Sequence, residues 1–331
     1  MSGIRIRTEG RVGRVTLARP EALNALTHEM ALALEDALRG WADDPAVTMV
    51  LIDAEGERAF CAGGDIQRLY DTGRAGDFAY GRRFWTDEYR LNLLIAEYPK
   101  PYVALMQGFT MGGGVGISCH GSHRVVCESS RIAMPECGIG LIPDVGGSYL
   151  LARAPGHLGE FLGLTGTRMG PGDAIHAGFA DMFVPAERWP ALTAALVAEP
   201  DPAAVLPRFA EPAPDSPLAA RQAEIDAVWC GALDEIREGA DPEAAKALAR
   251  GCPLSLACAL ETIRAARAGG VREALIREYR FTARCMEHGE FLEGIRAAVI
   301  DKDRNPHWQV EATPERVAMM LAPLGEEELK L

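Results

Sequence analysis

Short β-rich runs separated by segments of helix length dominate the N-terminal half of the chain: "RVGRVTLARP", then "ALTHEMALALEDALRGWADD", then "VTMVLIDAEG", a long amphipathic stretch, and "PYVALMQGF". Strands spaced by helices predict an α/β fold, because parallel neighbours need a crossover long enough to bring the chain back to the same end of the sheet. Thr27 is placed to cap the first helix, and "DDP" at 43–45 to end it. Near residue 199 the composition changes to the proline-rich "EPDPAAVLPRFAEPAPDSP". Proline removes backbone donors and breaks helices, so this segment reads as a linker or irregular arm. Beyond it, "LAARQAEIDAVWCGALDEIREG", "CPLSLACALETIRAARAG" and "VREALIREYRFTARCMEHGEFLEGIRAAVI" carry apolar residues at helical spacing. The expected organisation is a core over 1–198, a linker or arm over 199–217 and a helical region over 218–331.

Two stretches, "ERAFCAGGDIQRLY" and "GFTMGGGVGISCHG", pass from a strand end through glycines into a helix. Each presents backbone N–H groups at a helix start, where they could face one pocket. Phosphate-binding uses of the second stretch fail on its residues. No G-K-[ST] follows the glycines, and Cys119 stands where Gly114 and Gly116 would need a third glycine for a dinucleotide fingerprint. The serine-hydrolase pattern G-x-S-x-G is absent as well. His120 and His123 lack a carboxylate ligand or an H-E-x-x-H frame and read as the finish of a helix, so no metal is expected. Two uses remain: an oxyanion hole of two amides, or glycines that let a helix pack tightly on a sheet.

Downstream, "SSRIAMPECGIGLIPDVGGSYLLAR" places Glu136 and Asp144 each directly after a proline. Two carboxylates on stiffened loops can converge on one substrate and divide acid, base or nucleophile roles, unless Asp144 merely caps a helix beginning near Val145. Composition narrows the partners. A net charge of −13 argues against nucleic acid, which needs a basic footprint. No run of about 18 apolar residues exists and "MSGIRIRTEG" lacks an apolar core, so no membrane partner is expected and the cytoplasm is the default. The eight cysteines form no C-x-x-C pair and read as reduced, mostly buried thiols.

Taken in order, "AFCAGGDI", "KPYVALMQGFTMGGGVGIS", "RIAMPECGIGLIPDVGGSYLLAR" and "LTGTRMGPGDAIHAGFAD" resemble the crotonase (enoyl-CoA hydratase/isomerase) superfamily. The tail "EFLEGIRAAVIDKDRNPHWQ" is similar to its 3-hydroxyisobutyryl-CoA hydrolase branch. The resemblance implies a spiral of repeated ββα units, an acyl-CoA-binding catalytic core and a helical C-terminal region. It implies an acyl-CoA substrate, no cofactor beyond the coenzyme A of that substrate, and homo-oligomers such as trimers or hexamers, although a long C-terminal region can cover the surface they use. By position, Gly64 and Gly113 would donate the oxyanion amides, and Ala62 and Gly112 would line the substrate. Ordinary hydratases carry a second catalytic glutamate where this chain has Gly116. Glu136 matches the retained glutamate, Asp144 the carboxylate of the hydrolase branch, and Glu88 in "FWTDEYRLN" an acidic position near the acyl pocket.

The implied activity is hydrolysis of a short branched 3-hydroxyacyl-CoA, as in valine breakdown. Glu136 either attacks the thioester or activates water, Asp144 orients water or the substrate hydroxyl, and Glu88 accepts a hydrogen bond from that hydroxyl. Glu88 could instead be a solvated charge paired with an arginine one turn away. The rival activities are a hydratase or isomerase of the same fold and a non-catalytic acyl-CoA-binding protein.

Overall fold

The computed structural model describes residues 3–331. They divide into two compact units that the chain enters repeatedly: residues 3–64, Leu91–Ala133 and Arg168–Ala220 form one, and Asp65–Arg90, Met134–Thr167 and Arg221–Leu331 the other.

The first unit holds the strands, in chain order β1 (Ile4–Glu9), β2 (Val12–Leu17), β3 (Met49–Ala54), β4 (Ala59–Cys61), β5 (Tyr102–Met106), β6 (Phe109–Met111), β7 (His123–Val126), β8 (Arg131–Ala133) and β9 (Met182–Phe183). β1 and β2 pair antiparallel, and every later join of the six-stranded sheet β1-β2-β3-β5-β7-β9 is parallel. A second, wholly parallel sheet runs β4-β6-β8. Each of the pairs β3/β4, β5/β6 and β7/β8 therefore sends its first strand to the large sheet and its second to the small one. A helical element follows each pair in the chain: Ile66–Arg74, Gly113–Gly116 and the short 3-10 turn Glu136–Ile139. This is the α/β spiral of ββα units that the resemblance implies.

Burial explains the strand sequences. Every residue of β5 is buried, as is Met49–Ile52 of β3, so these parallel strands are apolar without alternation. Val12, Met49, Leu51, Val103, Leu105 and Val125 share a core with Leu192 and Leu196 of the helix Trp189–Ala198. Val205 and Leu206 of the proline-rich stretch belong to the same core. That stretch is locally ordered: the Asp201 carboxylate accepts hydrogen bonds from the N–H groups of Ala203 and Ala204 and starts the helical turn Pro202–Val205. The helix His28–Ala42 begins at Thr27, whose hydroxyl accepts the Met30 N–H at 3.2 Å.

The second unit is helical. Its helix Pro253–Ala266 buries Leu254, Leu256, Cys258 and Ile263 and packs on Gly147–Ala152 and Leu158–Thr165. Each such aliphatic side chain removed from water contributes roughly 1.5–3 kcal/mol. The helix Phe78–Ala96 begins in this unit, and the helix Val271–Cys285 lies wholly within it. All eight cysteines are free thiols, seven buried and Cys230 exposed.

Candidate active site

Three of the carboxyls singled out in the sequence come together in the second unit. Pro135 leads into the 3-10 turn that carries Glu136, and this loop is fixed by the Cys252 N–H, which donates to the Cys137 carbonyl at 2.8 Å. Asp144 follows Pro143 and receives the Tyr89 hydroxyl on Oδ2 at 2.7 Å. Glu88 precedes Tyr89 on the helix Phe78–Ala96 and is 2% exposed, while Glu136 and Asp144 are 5% and 4% exposed. The arginine pairing considered for Glu88 belongs to its neighbour, since Arg90 bonds Asp87 at 2.9 Å. Oε1 of Glu88 and Oε2 of Glu136 are buried without a hydrogen-bonding partner. Buried polar atoms are rarely left so, and acceptors of this kind are what a bound ligand satisfies.

Burial dominates the electrostatics. It pushes Glu136 well above the usual carboxylate range, and the charge of Asp144 adds to the effect. Glu88 is raised well above that range for the same two reasons. Asp144 is pushed up to about 7 by burial, against the pull of the Tyr89 hydroxyl, which favours the charged form. The carboxyls therefore titrate as an interacting set, and near neutral pH the cluster retains protons. Groups raised in this way are suited to proton transfer near neutral pH, while attack on a carbonyl falls to the ionised form of the carboxyl.

A fourth carboxyl was not singled out in the sequence. Glu278, on the helix Val271–Cys285, accepts the Gly146 N–H on Oε2 at 2.7 Å and, on Oε1, the Ser148 N–H at 3.0 Å and the Ser148 hydroxyl at 2.5 Å. Burial pushes it up to about 8, against these hydrogen bonds. The helix Gly147–Ala152 has Gly146 at its N-cap with no side-chain cap from that residue, so Glu278 does the work considered for Asp144. The carboxylate of Asp144 is thereby left to Tyr89. The sequence held one signal of this: Glu278 falls on the buried stripe of its helix, with Ala274, Leu275 and Thr282.

The glycine turns lie in the first unit. A one-residue irregularity in β4 pairs Ala59 with Phe109 and Cys61 with Thr110, so Gly64 and Gly113 stand at equal distances beyond paired residues of two adjacent parallel strands. Gly113 is the first residue of the helix Gly113–Gly116, where no intrahelical acceptor exists for its N–H. Leu26 pairs with Gly64 through a hydrogen bond from its own N–H to the Gly63 carbonyl at 2.9 Å, which leaves the Gly64 amide out of that bond. Gly112 has φ +48°, a conformation suited to glycine. A Cβ on Gly114 would fall 2.2 Å from the Cys61 carbonyl oxygen. Close packing is thus present at Gly114, and the amides of Gly64 and Gly113 occupy matching positions beyond two neighbouring strands. The Ala62 N–H is taken by the Leu23 carbonyl at 3.0 Å. His123, read as the finish of a helix, instead opens β7 and meets the Ser122 hydroxyl at 2.9 Å.

Residues 12–322 match the enoyl-CoA hydratase/isomerase family. Among curated relatives, the mitochondrial 3-hydroxyisobutyryl-CoA hydrolase of Gallus gallus is 37% identical over 98% of this chain and 90% of its own length. The 3-hydroxyisobutyryl-CoA hydrolase 1 of Arabidopsis thaliana is 37% identical over 93% and 87%. Of solved structures, an enoyl-CoA hydratase from Rhodobacter sphaeroides 2.4.1 is 54% identical with a TM-score of 0.93, covering 100% of both chains. A carnitinyl-CoA dehydratase from Mycobacterium thermoresistibile is 41% identical with a TM-score of 0.95, covering 100% of this chain and 99% of that one. The relatives named as mitochondrial overturn the cytoplasmic expectation. That expectation rested on the lack of apolar segments; no helix among the described residues is long and apolar enough to cross a membrane, but this does not distinguish one aqueous compartment from another. With the family match spanning nearly the whole sequence and the ββα spiral beneath it, the chain belongs to the enoyl-CoA hydratase/isomerase family.

Proposed function

We infer that this chain is an acyl-CoA thioester hydrolase that cleaves 3-hydroxyisobutyryl-CoA to 3-hydroxyisobutyrate and free coenzyme A. The observation that carries the reading is the buried carboxyl cluster of Glu136, Asp144 and Glu88, in a chain with Gly116 where a hydratase has its second glutamate. Relatives named for this hydrolysis, similar over nearly all of the chain, support it.

In this reading the thioester oxygen takes the amides of Gly64 and Gly113 as negative charge develops on it, each such donor being worth about 10²–10³ in rate. The Glu136 carboxylate attacks the carbonyl carbon to give a mixed anhydride and expels the thiolate, and water then cleaves the anhydride. In the other route Glu136 takes a proton from water, which attacks directly. Either way thioester and water become acid and thiol, with no oxidant or reductant. A thiol with a pKa near the ~8.5 of free cysteine leaves without a strong acid. Asp144 orients the water or the substrate hydroxyl, and the unpartnered Oε1 of Glu88 accepts from that hydroxyl. Coenzyme A enters as part of the substrate, and no further cofactor is invoked. A trimer or hexamer in solution belongs to the same reading, and light scattering measures it.

The name of the 54%-identical solved structure favours a second reading, hydration of an enoyl-CoA. One assay separates the two: purified protein is given 3-hydroxyisobutyryl-CoA while free thiol is followed, and crotonyl-CoA while the enoyl absorbance is followed. Thiol release from the hydroxyacyl substrate alone is the expected result. Loss of enoyl absorbance without thiol release would replace the hydrolase by the hydratase.

A further inference from the structure

We propose that Glu278 is a positioning residue for this reaction: it clamps the turn Val145–Ser148 and so fixes where Asp144 presents its carboxylate. The inference rests on the role given to Asp144 above. Four observations carry it. Both oxygens of Glu278 are engaged by this turn, through the N–H groups of Gly146 and Ser148 and the Ser148 hydroxyl. A fully buried carboxyl is costly unless its hydrogen bonds are made, so an apolar residue would serve packing better and the turn is what needs the acid.

The turn itself is strained. Val145 has φ +54° and Gly146 φ +77°, and the Gly147 N–H closes on the Asp144 carbonyl at 2.6 Å. A β-branched side chain in the left-handed region persists only where its surroundings over-determine it. Glu278 supplies that determination directly after Asp144. One turn further along the same helix, Thr282 Oγ1 lies 3.5 Å from the Tyr89 hydroxyl, the group that bonds Asp144. A single helix face thus backs both the turn that carries the acid and the donor that holds it.

The test uses the full chain, thiol release from 3-hydroxyisobutyryl-CoA, and amide hydrogen exchange at Gly146 and Ser148 without substrate. In Glu278→Gln an NH2 group opposes a backbone N–H, so the turn loosens. We expect kcat to fall about 10- to 100-fold with KM changed less than about threefold, because misplacement of a reacting group costs rate more than binding. Adding Val145→Gly relieves the strain, and the double variant should recover about fivefold or more of the lost kcat. A Glu278→Gln kcat within about twofold of the parent, or a loss that Val145→Gly leaves untouched, overturns the proposal. Should Glu278→Gln fail to fold, Ser148→Ala removes one of the three donors and is expected to lower kcat about threefold or more at constant KM. An unchanged kcat in Ser148→Ala overturns the proposal equally. Exchange separates this inference from the hydrolase reading. Faster exchange in Glu278→Gln from a parent that releases no thiol supports the clamp and removes the hydrolase; unaltered exchange in an active parent removes the clamp alone.

Discussion

Tyr89 donates its hydroxyl to Asp144 Oδ2 at 2.7 Å, and both side chains are buried. This bond lowers Asp144 while burial raises it to about 7. Tyr89→Phe should therefore send Asp144 higher still and move the rising limb of kcat against pH to more alkaline values, with a stability loss of about 1–3 kcal/mol for the buried acceptor left unpaired. A pH–rate profile of the variant that overlays the parent's would show that ionised Asp144 is not needed for turnover.

Glu136→Gln removes the group proposed as nucleophile or base and keeps the shape of the side chain. Turnover should fall by about 10² to 10⁴ while binding of the substrate, measured by calorimetry on the inactive variant, stays within about threefold. Full activity in this variant would remove Glu136 from the mechanism.

Glu88 has been given the substrate hydroxyl. Replacing it with leucine takes away the acceptor and the buried carboxyl together, so thermal stability should hold or rise by about 1 kcal/mol. Discrimination should collapse: the kcat/KM ratio of 3-hydroxyisobutyryl-CoA to isobutyryl-CoA is expected to drop about tenfold, and an unaltered ratio would place the hydroxyl elsewhere.

Asp144 and Glu278, at about 7 and about 8, bind protons more tightly in the folded chain than in the unfolded one, where carboxyls titrate near 4. Between about pH 5 and 8 the folded state therefore holds more protons, and stability from these groups falls as pH rises through that window. His123, held down by burial, works in the opposite direction in the lower part of the same window. Denaturant unfolding of the parent and of Glu278→Gln across this range reads the Glu278 contribution together with its share in raising Glu136, both of which act in the same direction. The variant should show the less negative slope of stability with pH, and identical slopes would contradict the raised Glu278.

Gly114→Ala tests the first unit. The new Cβ would lie 2.2 Å from the Cys61 carbonyl oxygen, so backbone must shift, at a cost of about 1–3 kcal/mol in thermal unfolding. A variant as stable as the parent would mean that the two turns are not packed as described.

What the sequence made legible was local. Glu136 and Asp144 follow prolines in glycine-bounded loops, and both glycine turns stand between a strand and a helix, so neighbours in the chain pointed to them. Glu88 was readable only through resemblance, because Asp87 and Arg90 beside it make an ordinary surface ion pair. Glu278 escaped because the turn it caps is 130 or more residues away and its helix is otherwise rich in arginine. Tyr89 escaped for a similar reason, since an aromatic on a buried helix face is usually core and only the position of Asp144 gives its hydroxyl a task. The proline-rich stretch misled through composition: proline forbids interior helix positions but opens short helices well, as Pro202 does.

The matched positions of Gly64 and Gly113 have a consequence for how freely such a chain can diversify. Because β4 and β6 are neighbours in one parallel sheet, what sets the gap between their two turns is a strand spacing of about 4.8 Å, not the dozens of residues that join them. The connecting segment can lengthen, shorten or exchange its side chains for a different acyl group while both turns keep their places at the end of the sheet. On the proposed reading, novelty in substrate is written into the excursions between strands, and the sheet preserves the two amides offered to the thioester oxygen.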